Sequence, residues 1–83
     1  SDKFSALVSE ENTYLELTVG RTSYRILKDD ILYISSENEY VKVNTNNKSE
    51  LIYSRLKDIK ELLDSNFIQI HRSYIINTNI NFM

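Results

Sequence analysis

Leu15, Leu17 and Val19 alternate with Tyr14, Glu16 and Thr18, the period-2 pattern of a strand with one buried face. Residues 23–27 follow across a Gly20-Arg21 turn, so the two segments predict a hairpin. Lys28-Asp29-Asp30 breaks the pattern, residues 31–35 predict a third strand, and Ser36-Glu37-Asn38-Glu39 reads as a polar loop or bulge. In residues 40–45, Val41 and Val43 face one way and Tyr40, Lys42 and Asn44 the other, as in a fourth strand. Asn46-Asn47-Lys48-Ser49 supplies a reverse turn, and residues 50–53 return as a fifth strand.

The period then changes. Leu56, Ile59, Leu62 and Leu63 lie on one face of a short helix, with Arg55, Lys57, Asp58, Lys60 and Glu61 outside. The Ser54 hydroxyl is placed to cap its first amides, and Asp64-Ser65-Asn66 ends it. Residues 67–76 carry a strong strand pattern, interrupted at His71-Arg72-Ser73; after the turn Asn77-Thr78-Asn79, Ile80 opens one more strand. Tyr33 and Phe67 are core candidates, and Tyr40 and Tyr74 read as strand packing residues rather than base-stacking platforms. The expected fold class is mostly β: short antiparallel strands with one short helix. A parallel α/β sheet would need a crossover between successive strands, whereas an antiparallel sheet with the helix on one face or edge fits. Residues 1–12 read as an N-terminal arm or linker, with residues 4–8 either a strand or the end of an interdomain connection; residues 13–83 read as one domain.

Composition removes several function classes. In 83 residues there is no cysteine, no proline, one glycine and one histidine. Thiolate zinc sites, disulfides, cysteine nucleophiles and multi-histidine metal sites are therefore excluded, and so is a Gly-rich phosphate loop. Turns must fall to Asn, Asp and Ser, and nine asparagines meet that need. No apolar run approaches a membrane span of about 20 residues. The formal charge of −2 counts against nucleic acid, whose binding leans on Lys and Arg. The acidity is local, however. Residues 1–20 hold one lysine against four acids, and residues 21–83 hold nine basic against eight acidic residues.

Three blocks in the second half resemble the LytTR family of bacterial regulators. They are Asp30-Ile31-Leu32-Tyr33-Ile34 with Asn38-Glu39-Tyr40-Val41-Lys42-Val43, then Ser54-Arg55-Leu56-Lys57-Asp58-Ile59, then Phe67-Ile68-Gln69-Ile70-His71-Arg72-Ser73-Tyr74-Ile75-Ile76-Asn77. The second is similar to the family's SLKELE helix and the third to its FFRVHRSYIVN signature, the most specific feature in the chain. The resemblance implies a cytoplasmic transcription regulator, the output domain of a two-component response regulator. It implies inter-strand loops that enter successive major grooves of double-stranded DNA, binding direct repeats as paired copies, with a receiver domain upstream. It aligns residues 36–40 with the family's first DNA-reading loop and His71-Arg72-Ser73 with its second. A third family contact, from a basic residue near the domain's C-terminus, has no counterpart here, so the domain is expected to lack its C-terminal part.

The residues offer matching chemistry. Arg72 carries a rigid fork suited to guanine O6 and N7, and Asn38 an amide suited to adenine. Without the signature, a surface arginine paired with a carboxylate and an asparagine serving a turn are the commoner cases. His71 can meet a base edge or bond to backbone at the bend and orient Arg72. Glu39 can accept from cytosine N4 or act as a solvated acid that rejects wrong sites. Tyr40 and Ser73 flank the two bends. Lys42, Lys48, Arg55 and Lys57 are candidates for phosphate contact, each equally readable as solvated surface. The pairs Glu10-Glu11 and Asp29-Asp30 invite an acid-base reading, but adjacent strand residues face opposite ways and solvated turn acids are the default. The chain is expected to be no enzyme and to need no cofactor or metal. The alternative to DNA binding is a protein-interaction module of the same fold with little DNA affinity.

Overall fold

The computed structural model describes residues 13–80. Strands β1 (Tyr14–Val19) and β2 (Thr22–Leu27) form the predicted hairpin, an antiparallel two-stranded sheet. Its two-residue turn uses Gly20 at φ 61°, with nothing within 4 Å of where a Cβ would stand; the glycine is there for the left-handed backbone, not for space. A 3-10 turn, Lys28–Asp30, leads into β3 (Ile31–Glu37). Then come β4 (Tyr40–Thr45), β5 (Ser49–Tyr53), the helix α1 (Leu56–Lys60), β6 (Phe67–His71) and β7 (Tyr74–Asn77). Strands β3 to β7 make a five-stranded antiparallel sheet in the order β5-β4-β3-β7-β6.

The expected mostly-β fold with one short helix is the fold found. The readings placed on residues 1–12, and a strand running on through 81–82, lie outside the described residues, and Ile80 is not in a strand.

Cross-strand partners share a face. One face of the large sheet carries Ile34, Val41, Val43, Ile52 and Ile75, all fully buried. Leu15 and Ile26 from the hairpin, Leu56 and Ile59 from α1, and Phe67 join them in one cluster. The opposite face carries Tyr33, Tyr40, Leu51, Tyr53, Ile68 and Tyr74, between 41% and 56% exposed.

Tyr33 was expected in the core and is not there. The register shifts between Ile31 and Tyr33, and a bulge of this kind breaks strand alternation. Ile31 and Ile34 are both buried, and Tyr33 turns outward opposite Asn44 and Ile76. Tyr40 and Tyr74, read as packing residues, also stand on the open face, each 45% exposed. The helix is shorter than its pattern. It stops at Lys60, leaving Leu62 exposed and Leu63 against the core edge. Its N-cap is Arg55 with no side-chain cap bond; the Ser54 hydroxyl instead donates to the Arg55 carbonyl at 3.4 Å.

Among the described residues, buried side-chain polar groups are satisfied. The Asn77 amide donates to the Ile31 carbonyl at 2.9 Å, and its oxygen accepts from Asn66 Nδ2 at 2.7 Å and the Asn79 N–H at 2.9 Å. Lys28, 6% exposed, pairs with Asp64 at 3.2 Å and ties the hairpin's exit to the segment after α1. Among the described residues no helix is long and apolar enough to cross a membrane, and no three His, Cys, Asp or Glu side chains converge on a metal-sized site.

Candidate functional site

The first candidate loop is shorter than the polar run suggested. Ser36 and Glu37 belong to β3, where Glu37 pairs with Tyr40, leaving Asn38-Glu39 as a two-residue turn. Asn38 has φ 59°, a left-handed conformation that asparagine tolerates and most side chains do not. Its turn role is therefore real. Its side-chain amide nevertheless has no hydrogen-bond partner among the described residues, so it is free to meet a ligand.

The second loop is a hairpin, not an interrupted strand. Residues 67–76 fold back on themselves as β6 and β7, and His71 pairs with Tyr74 around the turn Arg72-Ser73. Three bonds hold this turn. The Ser73 N–H donates to His71 Nδ1 at 3.1 Å, Gln69 Nε2 donates to the Arg72 carbonyl at 3.4 Å, and the Ser36 N–H donates to the Ser73 carbonyl at 2.9 Å. That last bond ties the second turn to the end of β3, two residues before Asn38.

Antiparallel pairing of β3 with β7, Ser35 opposite Tyr74, sets both turns at the same end of the sheet, side by side. A groove of about 440 Å³ lies between them and the start of α1, lined by Asn38, Glu39, Tyr40, Arg55 and Arg72 among others. Tyr53 forms part of its wall, edge-on to Tyr40 at 5.4 Å and 73°. The guanidinium groups of Arg55 and Arg72 make no ion pair among the described residues.

The remaining candidates divide. Lys42 stands on the open face of β4, 4.0 Å from Glu37. Lys57 is exposed on α1 and outside the groove. Lys48 belongs elsewhere: it sits in the β4–β5 turn and pairs with Glu50 at 3.2 Å. Because β4 runs away from the Asn38 turn, its length puts Lys48 about 17 Å from that end of the sheet.

Two contributors escaped the sequence reading. Tyr53 faces Tyr40 because the β4–β5 register pairs them, and the two strand patterns with their turn residues held that signal. Gln69 steadies Arg72 from within β6, which becomes visible only once the hairpin is known.

Comparison with known proteins gives one answer. The family model of the LytTr DNA-binding domain matches residues 21–80. The sensory transduction protein LytT of Bacillus subtilis (strain 168) is 36% identical over 76 residues, covering 84% of this chain and 32% of that protein. The sensory transduction protein LytR of Staphylococcus haemolyticus (strain JCSC1435) is 34% identical over 70 residues, covering 83% of this chain and 27% of that protein. The chain thus spans about a third of these relatives' lengths. Among solved structures, the LytTr DNA-binding domain of a methyl-accepting/DNA response regulator from Bacillus cereus superposes with a TM-score of 0.66, over 81% of this chain and 62% of the other. At 22% identity that match speaks for the fold alone.

Proposed function

The chain belongs to the LytTR DNA-binding family, and from that premise we propose that it binds duplex DNA sequence-specifically in bacterial transcription regulation, as the output domain of a cytoplasmic response regulator. The turns at Asn38 and Arg72 enter the major groove. The observation that carries this reading is the Ser36–Ser73 bond, which holds the two turns side by side at one end of the sheet, with the Asn38 amide and Arg72 guanidinium unpartnered among the described residues. Arg72 offers its fork to guanine and Asn38 its amide to adenine. Arg55, Lys57 and Lys42 contact phosphate and set the register of the protein on the duplex. Glu39, in the groove with Arg55 and Arg72, weakens binding wherever it meets a phosphate and so favours the one register in which it meets a base amino group.

The small net charge shapes the mechanism. With nearly balanced charge over residues 21–83, few phosphates are neutralised, and base contacts must supply a large share of the affinity. Pairing of two copies on direct repeats, driven by a receiver domain upstream, would double those contacts without a larger basic surface.

Selection of duplexes from a random pool, followed by fluorescence anisotropy across a salt series, tests the reading. The expected result is a selected site whose affinity falls by about 0.9 log unit per tenfold salt for each phosphate neutralised, with two or three such contacts. No enrichment and no binding even at low salt would overturn it in favour of a protein-interaction role.

A further inference from the structure

The bonds that hold the Arg72 turn also determine what His71 can present outward. Its Nδ1 accepts from the Ser73 N–H at 3.1 Å. A neutral imidazole has one donor and one acceptor nitrogen, so with Nδ1 accepting, the proton is on Nε2. Nε2 has no partner among the described residues. The ring is exposed and leans on its cross-strand neighbour Tyr74, with centroids 5.8 Å apart and planes at 56°. That leaning contact limits how the ring can turn, and Gln69 fixes the adjoining carbonyl from the other side. The bond from Nδ1 spans residue i to the N–H of i+2, the same closure an Asx turn makes with a side-chain oxygen.

We propose that His71 is the positioning residue of the Arg72 turn and, through Nε2–H, a donor-only specificity determinant. Resting on the DNA reading above, it selects an acceptor on a base edge, such as purine N7, guanine O6 or thymine O4. It disfavours the exocyclic amino groups of adenine and cytosine, which are donors themselves. The two roles are linked. One nitrogen is committed inward as an acceptor, and that commitment leaves the other as a donor.

Two measurements test this. The first needs no DNA: long-range proton–nitrogen NMR correlations on this chain report the tautomer of the single histidine. A neutral Nε2–H form is expected. An Nδ1–H form, or rapid averaging of the two, would overturn the positioning role. The second compares His71→Asn and His71→Gln. Asparagine retains an acceptor for the Ser73 N–H but ends short of the Nε2 position. Glutamine reaches that position but does not close the turn. Each is titrated against the selected duplex and against duplexes with one acceptor removed, by 7-deazapurines, 2-aminopurine for guanine, or 5-methyl-2-pyrimidinone for thymine. The wild-type chain should lose about 2- to 10-fold at one position, the range for a single hydrogen bond. His71→Asn should keep the free-state Ser73 amide signal and show no loss at that same position, while His71→Gln should shift the Ser73 signal. Equal sensitivity of wild type and His71→Asn at every position would overturn the specificity role. Should the Nε2–H form be present while the chain binds no duplex, the specificity assignment falls together with the DNA reading and the turn clamp stands.

Discussion

Replacing Asn38 by glycine and by alanine separates its two roles in the β3–β4 turn. At φ 59°, a residue with an ordinary Cβ incurs roughly 1–2 kcal/mol of left-handed strain, which glycine avoids and asparagine largely escapes. Asn38→Ala should therefore lower stability by about 1 kcal/mol. Asn38→Gly should leave it within about 0.5 kcal/mol, since glycine takes this conformation freely and the deleted amide makes no bond among the described residues. Affinity should behave differently. If the amide holds an adenine edge, both variants lose a bidentate pair worth about 1–3 kcal/mol, or about 5- to 150-fold in Kd. Urea unfolding followed by circular dichroism reads the first quantity and anisotropy with the selected duplex reads the second. The expected result is a glycine variant as stable as wild type that binds poorly, and an alanine variant deficient in both. An Asn38→Gly chain that binds within about twofold of wild type would show that Asn38 only shapes the turn. An alanine variant of undiminished stability would refute the strain argument itself.

Arg72→Ala should cost about 1–3 kcal/mol of discrimination at one base pair, weakening the selected site more than a random duplex in paired titrations; equal loss on both would reduce Arg72 to a backbone contact. Lys48→Ala removes an exposed pair with Glu50 at the far end of the sheet, so Kd should stay within about twofold and stability within about 0.5 kcal/mol; a larger loss of affinity would mean that DNA reaches that end. Asn77→Ala strips partners from the Ile31 carbonyl, Asn66 and the Asn79 N–H and should destabilise by about 2–4 kcal/mol, read as a lowered urea midpoint with unchanged slope. An unmoved midpoint would show that water replaces the amide without loss.

Where local rules governed, the sequence was legible. The alternation in residues 14–19 and 40–45 gave two strands at their observed bounds, because one buried face imposes period 2. Asn38 and Gly20 marked turns because each supplies a left-handed backbone. Long-range effects were hidden. The neighbours of β3 are β4, next in sequence, and β7, some 40 residues on, and no local pattern encodes that choice. Tyr33 was misplaced because a single bulge reverses the facing of every later residue in the strand. The Arg72-Ser73 turn was legible as a polar interruption and, through the resemblance, as an inter-strand loop; its tightness was not, because side chains of His71 and Gln69 close it. Candidates His71, Arg72 and Ser73 came from the signature of residues 67–77 and Asn38 to Tyr40 from the first block, whereas the groove between the two turns depended on strand order.

The geometry of the site is a consequence of strand register. Strands β3 and β7 pair at Tyr33–Ile76, Ile34–Ile75 and Ser35–Tyr74. The buried Asn77 amide, bonded to Ile31, closes this short ladder at one end, and the Ser36–Ser73 bond closes it at the other. A slip of β7 by one residue would exchange its two faces, exposing Ile75, now fully buried, and turning Ile76 inward. The Ile75 side chain is worth about 1.5–3 kcal/mol when buried, more than a surface turn can supply by itself. The same slip would pull Ser73 away from Ser36 and separate the Arg72 turn from Asn38. The core therefore fixes the spacing of the two polar turns, and the sheet itself holds a candidate site of only two short turns in place.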